Sequence, residues 1–156
     1  EQMLGALVEA GETTDIDFKF NAMNRVPNTI DSHRVLRWAQ ESGHQDAVAE
    51  ILFRRYFVDN EDIGDIDTLA AAAGEAGMDA DVVRKQLSDD TDEEAVRAEA
   101  QYASQMGISG VPTFIIDNKY ALQGAQPADA FLQVFSKVDE DQAAEGDAGA
   151  TAAAGD

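Results

Sequence analysis

The 156-residue chain contains no cysteine, so disulfides, thiolate metal sites and thiol chemistry cannot be built from these residues. Basic residues are scarce: 11 Lys and Arg stand against 31 Asp and Glu, for a net charge of -20. Such a surface repels nucleic-acid phosphates and anionic bilayers, so neither a nucleic-acid nor a membrane partner is expected. No apolar run approaches the ~18 residues a span requires. The opening Glu1-Gln2-Met3-Leu4 also lacks the basic start and long apolar stretch of a signal peptide. A cytoplasmic location is expected.

The remaining composition is ordinary for a globular protein, with 44% hydrophobic and 27% charged residues, and the length allows one compact domain or two small ones. Acid is concentrated at the end, where Asp139, Glu140, Asp141, Glu145, Asp147 and Asp156 occur with no base. The body is acidic as well, Asp outnumbers Glu, and the lysines are limited to Lys19, Lys85, Lys119 and Lys137. Dense carboxylates of this kind suit a salt-adapted cytoplasm, where counter-ions screen their repulsion. A merely acidic mesophile protein is equally compatible.

Apolar periodicity predicts a mostly helical chain. Residues 1–10 form the end of a helix closed by Gly11, and Ile16, Phe18 and Phe20 alternate with polar residues as a short extended segment. Pro27 fits a turn, and Asn28 or Thr29 is placed to cap a helix over 29–42, whose inward face carries Val35, Trp38 and Ala39. A second helix over 45–58 has a broad apolar arc of Val48, Ile51, Leu52, Phe53, Tyr56 and Phe57. Asp65 or Asp67 caps a third helix through Ala70–Ala73, Asp79 a fourth with Val82, Val83 and Leu87, and a fifth runs over 92–106 to Gly107. Val111–Ile116, a turn at Asp117-Asn118-Lys119 and Tyr120–Leu122 then signal a β-hairpin. Pro127 starts a last helix that carries Phe131, Val134 and Phe135. After Val138 there is no large apolar side chain to offset ordering entropy, so residues 139–156 are expected to be a disordered acidic tail.

Several chemical motifs are excluded by spacing. A calcium loop starting at Asp59 would have Gly64 at its sixth position, but Ile63 and Ala70 then occupy ligand places, so a solvated turn is the better reading. His33 and His44 match no compact zinc spacing, and no metal or cofactor is expected. His33 is read first as a structural imidazole and second as part of a substrate groove. There is no nucleophile elbow, phosphate loop or dinucleotide fingerprint, and no catalytic residue is assigned. The informative segment is Gly107-Ile108-Ser109-Gly110-Val111-Pro112-Thr113-Phe114-Ile115-Ile116. A proline there belongs at a strand mouth or bend. If the Val111–Pro112 bond is cis, the Val111 amide and carbonyl can face outward to pair with an extended peptide or the backbone of glutathione. An ordinary trans proline is the alternative.

The order helix, Gly-Ile-Ser-Gly-Val-Pro-Thr-Phe, strand, turn, Lys-Tyr-Ala-Leu-Gln-Gly-Ala-Gln, helix resembles the C-terminal half of the DsbA-like thioredoxin superfamily, in particular its FrnE-like branch. Asn28-Thr29, His33 to Ala39, Leu52-Phe53 with Tyr56-Phe57, and Asp62-Ile63 before Leu69 resemble that branch's helical insertion, so the likeness covers about 24–136. It implies an α/β thioredoxin-like fold, here the C-terminal hairpin plus helix with a large helical insertion domain, mostly α in these residues. The expected division is 1–27 as a partial N-terminal helix and extended segment, 28–109 as the insertion, 110–138 as the thioredoxin-fold hairpin and helix, and 139–156 as the tail.

The resemblance implies thiol–disulfide exchange on protein or peptide substrates by a Cys-x-x-Cys pair at a helix N-terminus. Both cysteines would precede residue 1, which leaves this chain redox-inactive. By the same match, Pro112 would be the cis-proline facing the missing cysteines, Val111 would align substrate backbone with Thr113 next to it in the substrate site, and Gly124, Ala125 and Gln126 would border the groove, with Asn28 and His33 contributed from the insertion. A two-stranded hairpin is marginal alone, so its free edge is expected to be covered by residues 1–20, by a preceding segment or by a second chain. Two other functions remain open. One is a glutathione-using enzyme similar to kappa-class transferases or hydroxychromene-carboxylate isomerases. The other is a cysteine-free peptide-binding module.

Overall fold

The computed structural model describes residues 2–19 and 26–153. They form two compact units, 1–101 and 102–156. The dividing point lies inside the helix Glu93–Gln105.

The first unit is helical: α1 Gln2–Glu12, α2 Ile30–Glu41, α3 Gln45–Phe57, α4 Ile66–Glu75, α5 Ala80–Leu87 and the start of α6 Glu93–Gln105. Its core interleaves Val35, Trp38 and Ala39 of α2, Val48 and Leu52 of α3, Leu69, Ala72 and Ala73 of α4, and Val83 and Leu87 of α5. Ala70, Ala72 and Ala73 of α4 are fully buried and let neighbouring backbones approach closely. Carboxylates at the N-termini satisfy amides that lack an intrahelical partner. Asp65 accepts from the Thr68 amide at 2.9 Å, and Asp79 accepts from the Asp81 and Val82 amides at 3.0 and 3.1 Å.

Arg34 is buried in this unit, at 2% exposure, although it is charged. Its guanidinium donates to the carbonyls of Gln86, Asp89 and Thr91 at 2.7, 2.6 and 2.7 Å and to the Asp31 carboxylate at 2.8 Å. The cation thus closes the C-terminal end of α5, where unpaired carbonyls carry negative partial charge. It also lies 5.3 Å from the ring centre of Trp38, whose Nε1 donates to Asp92 at 2.8 Å.

The turn after α1 depends on a glycine. A Cβ on Gly11 would lie 2.5 Å from the Ile16 carbonyl oxygen and 2.6 Å from the Phe18 ring. Residues 16–19 are not strand, and the Lys19 amide donates to the Phe57 carbonyl at 2.9 Å. Phe20 and Asn21, the rest of the expected extended segment, lie outside the described residues.

The second unit contains the antiparallel hairpin β1 Thr113–Ile116 and β2 Tyr120–Gln123, and α7 Ala128–Ala153. Thr113 pairs with Gln123 and Ile116 with Tyr120. Asp117 and Asn118 both have φ of 53°, a conformation their short polar side chains tolerate. On one face Phe114 meets Phe131 of α7 edge-on at 4.9 Å between ring centres. The Tyr120 hydroxyl donates to Asp141 at 2.8 Å, which holds the phenol above its ordinary value of 10.0. Among the described residues the sheet has two strands.

Helix α7 continues past Val138 to Ala153. Alanine is the commonest residue of that stretch and favours helix, and a helix satisfies its own backbone without a core. The absence of large apolar residues deprives the extension of a packing face, not of hydrogen bonds.

Candidate functional site

The second unit brings most of the expected site residues together around one backbone contact. The Gly124 amide donates to the Pro112 carbonyl at 2.8 Å, just outside the Thr113–Gln123 pair that ends the ladder. The Val111–Pro112 peptide bond is cis. Thr113 Oγ1 donates to the Gly110 carbonyl at 2.7 Å, and Gln126 Nε2 donates to the Gln123 carbonyl at 2.8 Å. The 110–113 loop and the 123–126 exit are therefore braced from both sides.

Gly124 leaves β2 at φ of 79°, where a Cβ is disfavoured. Val111 is 89% exposed, and among the described residues neither its amide nor its carbonyl makes a hydrogen bond. This loop can offer main-chain donors and acceptors to an extended chain. Behind it, Met106, Ile108, Ile115 and Tyr120 line a shallow concavity of about 200 Å³.

Asn28 and His33 belong to the first unit. Asn28 Oδ1 accepts from the Ile30 amide at 3.2 Å, so its side chain helps start α2 while Thr29 occupies the cap position. His33 is exposed on α2 and opens into a separate concavity of about 320 Å³ with Leu36, Arg37, Gln40 and Glu99. Arg37 and Glu99 form an ion pair there. His44 instead sits at the start of α3, with Nδ1 3.1 Å from Ser42 Oγ. Among the described residues no three His, Asp or Glu groups converge as a metal site, and no helix is long and apolar enough to cross a membrane.

Sequence reading missed two features. One is the carboxylate–guanidinium network at the end of α3, where Arg55 donates to Glu61 and Glu75 at 2.6 and 3.0 Å and Arg54 donates to Glu75 at 3.0 Å. Those bonds from Arg55 and Arg54 hold Glu75 below its ordinary value of 4.5. The other is an aromatic cleft beside it, containing Phe18, Phe53 and Phe57. The unusually broad apolar arc of α3 was its signal.

Comparison with known proteins supplies the frame for this geometry. The family model for the DSBA-like thioredoxin domain matches residues 1–136. The chain is similar in structure to the probable DsbA oxidoreductase SCO1869 from Streptomyces coelicolor, with a TM-score of 0.74 and 32% identity over 85% of this chain and 57% of that one. It is also 27% identical over 126 residues to the uncharacterized protein YwbO of Bacillus subtilis, covering 80% of this chain and 62% of that protein. The chain thus spans less than two-thirds of the length of either relative. With the family model matching most of its residues, the chain belongs to the DSBA-like thioredoxin domain family.

Proposed function

We propose that the chain is the substrate-docking and helical part of a FrnE-like thiol–disulfide oxidoreductase, with the reactive thiols supplied from outside these 156 residues. The similarity to a probable DsbA oxidoreductase over 85% of the chain carries this reading. The absence of cysteine gives its chemical consequence: the chain by itself has no sulfur nucleophile and is redox-inactive.

In the reaction, a thiolate attacks one sulfur of a substrate disulfide, forming a mixed disulfide and releasing the other sulfur as thiolate. A second thiolate then attacks the mixed disulfide, so the enzyme pair is oxidised and the substrate reduced to two thiols. The reverse sequence oxidises substrate. Val111 and Thr113 would hold substrate backbone through main-chain groups, and Pro112 would shape the loop. Gly124, Ala125 and Gln126 would form its border, with Asn28 and His33 as lesser contributors. Protein or peptide thiols and disulfides are the proposed substrates, and a preceding segment or second chain would complete the sheet. The acidic composition supports a salt-adapted cytoplasm as its setting.

Insulin reduction with dithiothreitol tests the reading, comparing the full-length gene product with the 156-residue chain. Catalytic turnover by the former and none by the latter is expected. A full-length product with no thiol turnover overturns it. If turnover requires glutathione and survives without protein cysteine, a glutathione-using enzyme is identified instead.

A further inference from the structure

We propose that the cleft between α3 and the segment following α1 docks a peptide in which a Lys or Arg flanks a large apolar side chain. The site lies entirely within the first unit and requires no redox chemistry, so it goes beyond the function proposed above.

The cleft encloses about 500 Å³, within the roughly 300–1,000 Å³ usual for ligand sites. Ile16 and Phe18 form one wall; Phe53, Phe57 and Val58 form the other. Phe53 is 62% exposed, a large aromatic surface left in water at the mouth.

The walls are built rather than incidental. The Ile16 amide donates to the Gly11 carbonyl at 2.9 Å, and the absence of a side chain at Gly11 admits the Phe18 ring. The Lys19 amide is tied to the Phe57 carbonyl at 2.9 Å, and the Phe18 and Phe57 rings meet edge-on at 5.6 Å. Little reorganisation is therefore needed before a ligand enters.

The rim selects the charge of the occupant. Asp15, Asp17 and Glu50 border the cleft, and among the described residues neither Asp15 nor Glu50 has an ionic partner. Asp17 is paired with Lys19. The basic side chain at the rim, Arg54, is already neutralised by Asp59 at 3.3 Å and Glu75 at 3.0 Å. An apolar floor with an acidic rim complements a cation beside an apolar group. A second copy of the chain is a poor fit, since its net charge of -20 would face the same acidic rim.

Fluorescence anisotropy with the full-length gene product tests the proposal, using fluorescein-labelled Lys-Leu-Lys-Phe-Lys-Leu. Two control peptides replace either the lysines by glutamate or the apolar residues by serine. Both should bind at least about tenfold more weakly, which separates docking from attraction to a polyanion. Phe53→Ser should weaken the basic apolar peptide about tenfold and Glu50→Lys about threefold or more. Both positions are exposed, and circular dichroism checks that the variants keep their helices. Equal binding of the serine peptide, or no change in Phe53→Ser, overturns the proposal. So does light scattering that shows a wild-type dimer broken by Phe53→Ser, because a second copy would then fill the cleft.

Discussion

The Pro112 carbonyl accepts the Gly124 amide at 2.8 Å, joining the loop before β1 to the residue that leaves β2. Because Gly124 reaches this position at φ of 79°, loop and exit share one conformational requirement. A Cβ there would meet Gln126 Nε2 only at 3.9 Å, so space is available and the backbone conformation alone disfavours substitution. Gly124→Ala should therefore cost about 1–2 kcal/mol in urea unfolding, and Gly124→Asn less, because Asn tolerates this conformation. Equal losses in both variants would point to a steric cause.

Arg34→Met should be severely destabilising, by about 3–5 kcal/mol, since it removes a buried cation and strands several carbonyls. Arg34→Lys should rescue little, because a compact ammonium cannot reproduce the planar fork that reaches Gln86, Asp89 and Thr91 together. Equilibrium unfolding measures both. A loss below about 1 kcal/mol in Arg34→Met would show that the Arg34 bonds contribute little beyond exposed pairs.

Raising KCl from 0.1 to 2 M should increase the thermal midpoint, by roughly 5 °C. Salt weakens two opposing effects. The visible ion pairs are mostly exposed and worth roughly 0–1 kcal/mol each, whereas the net charge of -20 acts across the whole molecule. Relief of repulsion should win. A falling midpoint would place the ion pairs above the net charge.

Acid should destabilise the first unit through Glu75 and Asp89. Glu75 is held below 4.5 by hydrogen bonds from Arg55 and Arg54, and Asp89 below 3.8 by bonds from Thr91. For a carboxylate depressed in the folded state, the unfolded chain binds more protons in the window between the two values. Its stabilisation is thus complete above the unfolded value and disappears as pH falls through the folded one. Glu75→Gln should flatten the stability profile below about pH 4.5 relative to wild type. An unchanged slope would contradict the assigned role.

Local chemistry made the helix starts and the hairpin legible. Asp65 and Asp79 are short acceptors just ahead of apolar runs, and Asp117-Asn118 tolerates positive φ between β-branched segments. Arg34 was not legible, because its carbonyl partners lie more than fifty positions away in sequence. Its local pattern is that of an ordinary surface base. On α3, periodicity correctly marked Val48 and Leu52 as core but did not separate them from Phe53, which faces the cleft. Two apolar stripes, one covered by neighbouring helices and one not, read as one wide arc. At the candidate site, the motif singled out the Val111 loop as an expectation, while its bracing by Gly124 and Gln126 required the strand register.

Amide chemical-shift mapping of the isotope-labelled full-length product, titrated with a disulfide-bonded peptide, tests the central claim most directly. The account predicts perturbations concentrated at Val111, Thr113 and Gly124–Gln126, saturating with the concentration dependence of turnover. Turnover accompanied by unperturbed amides at those positions would contradict it.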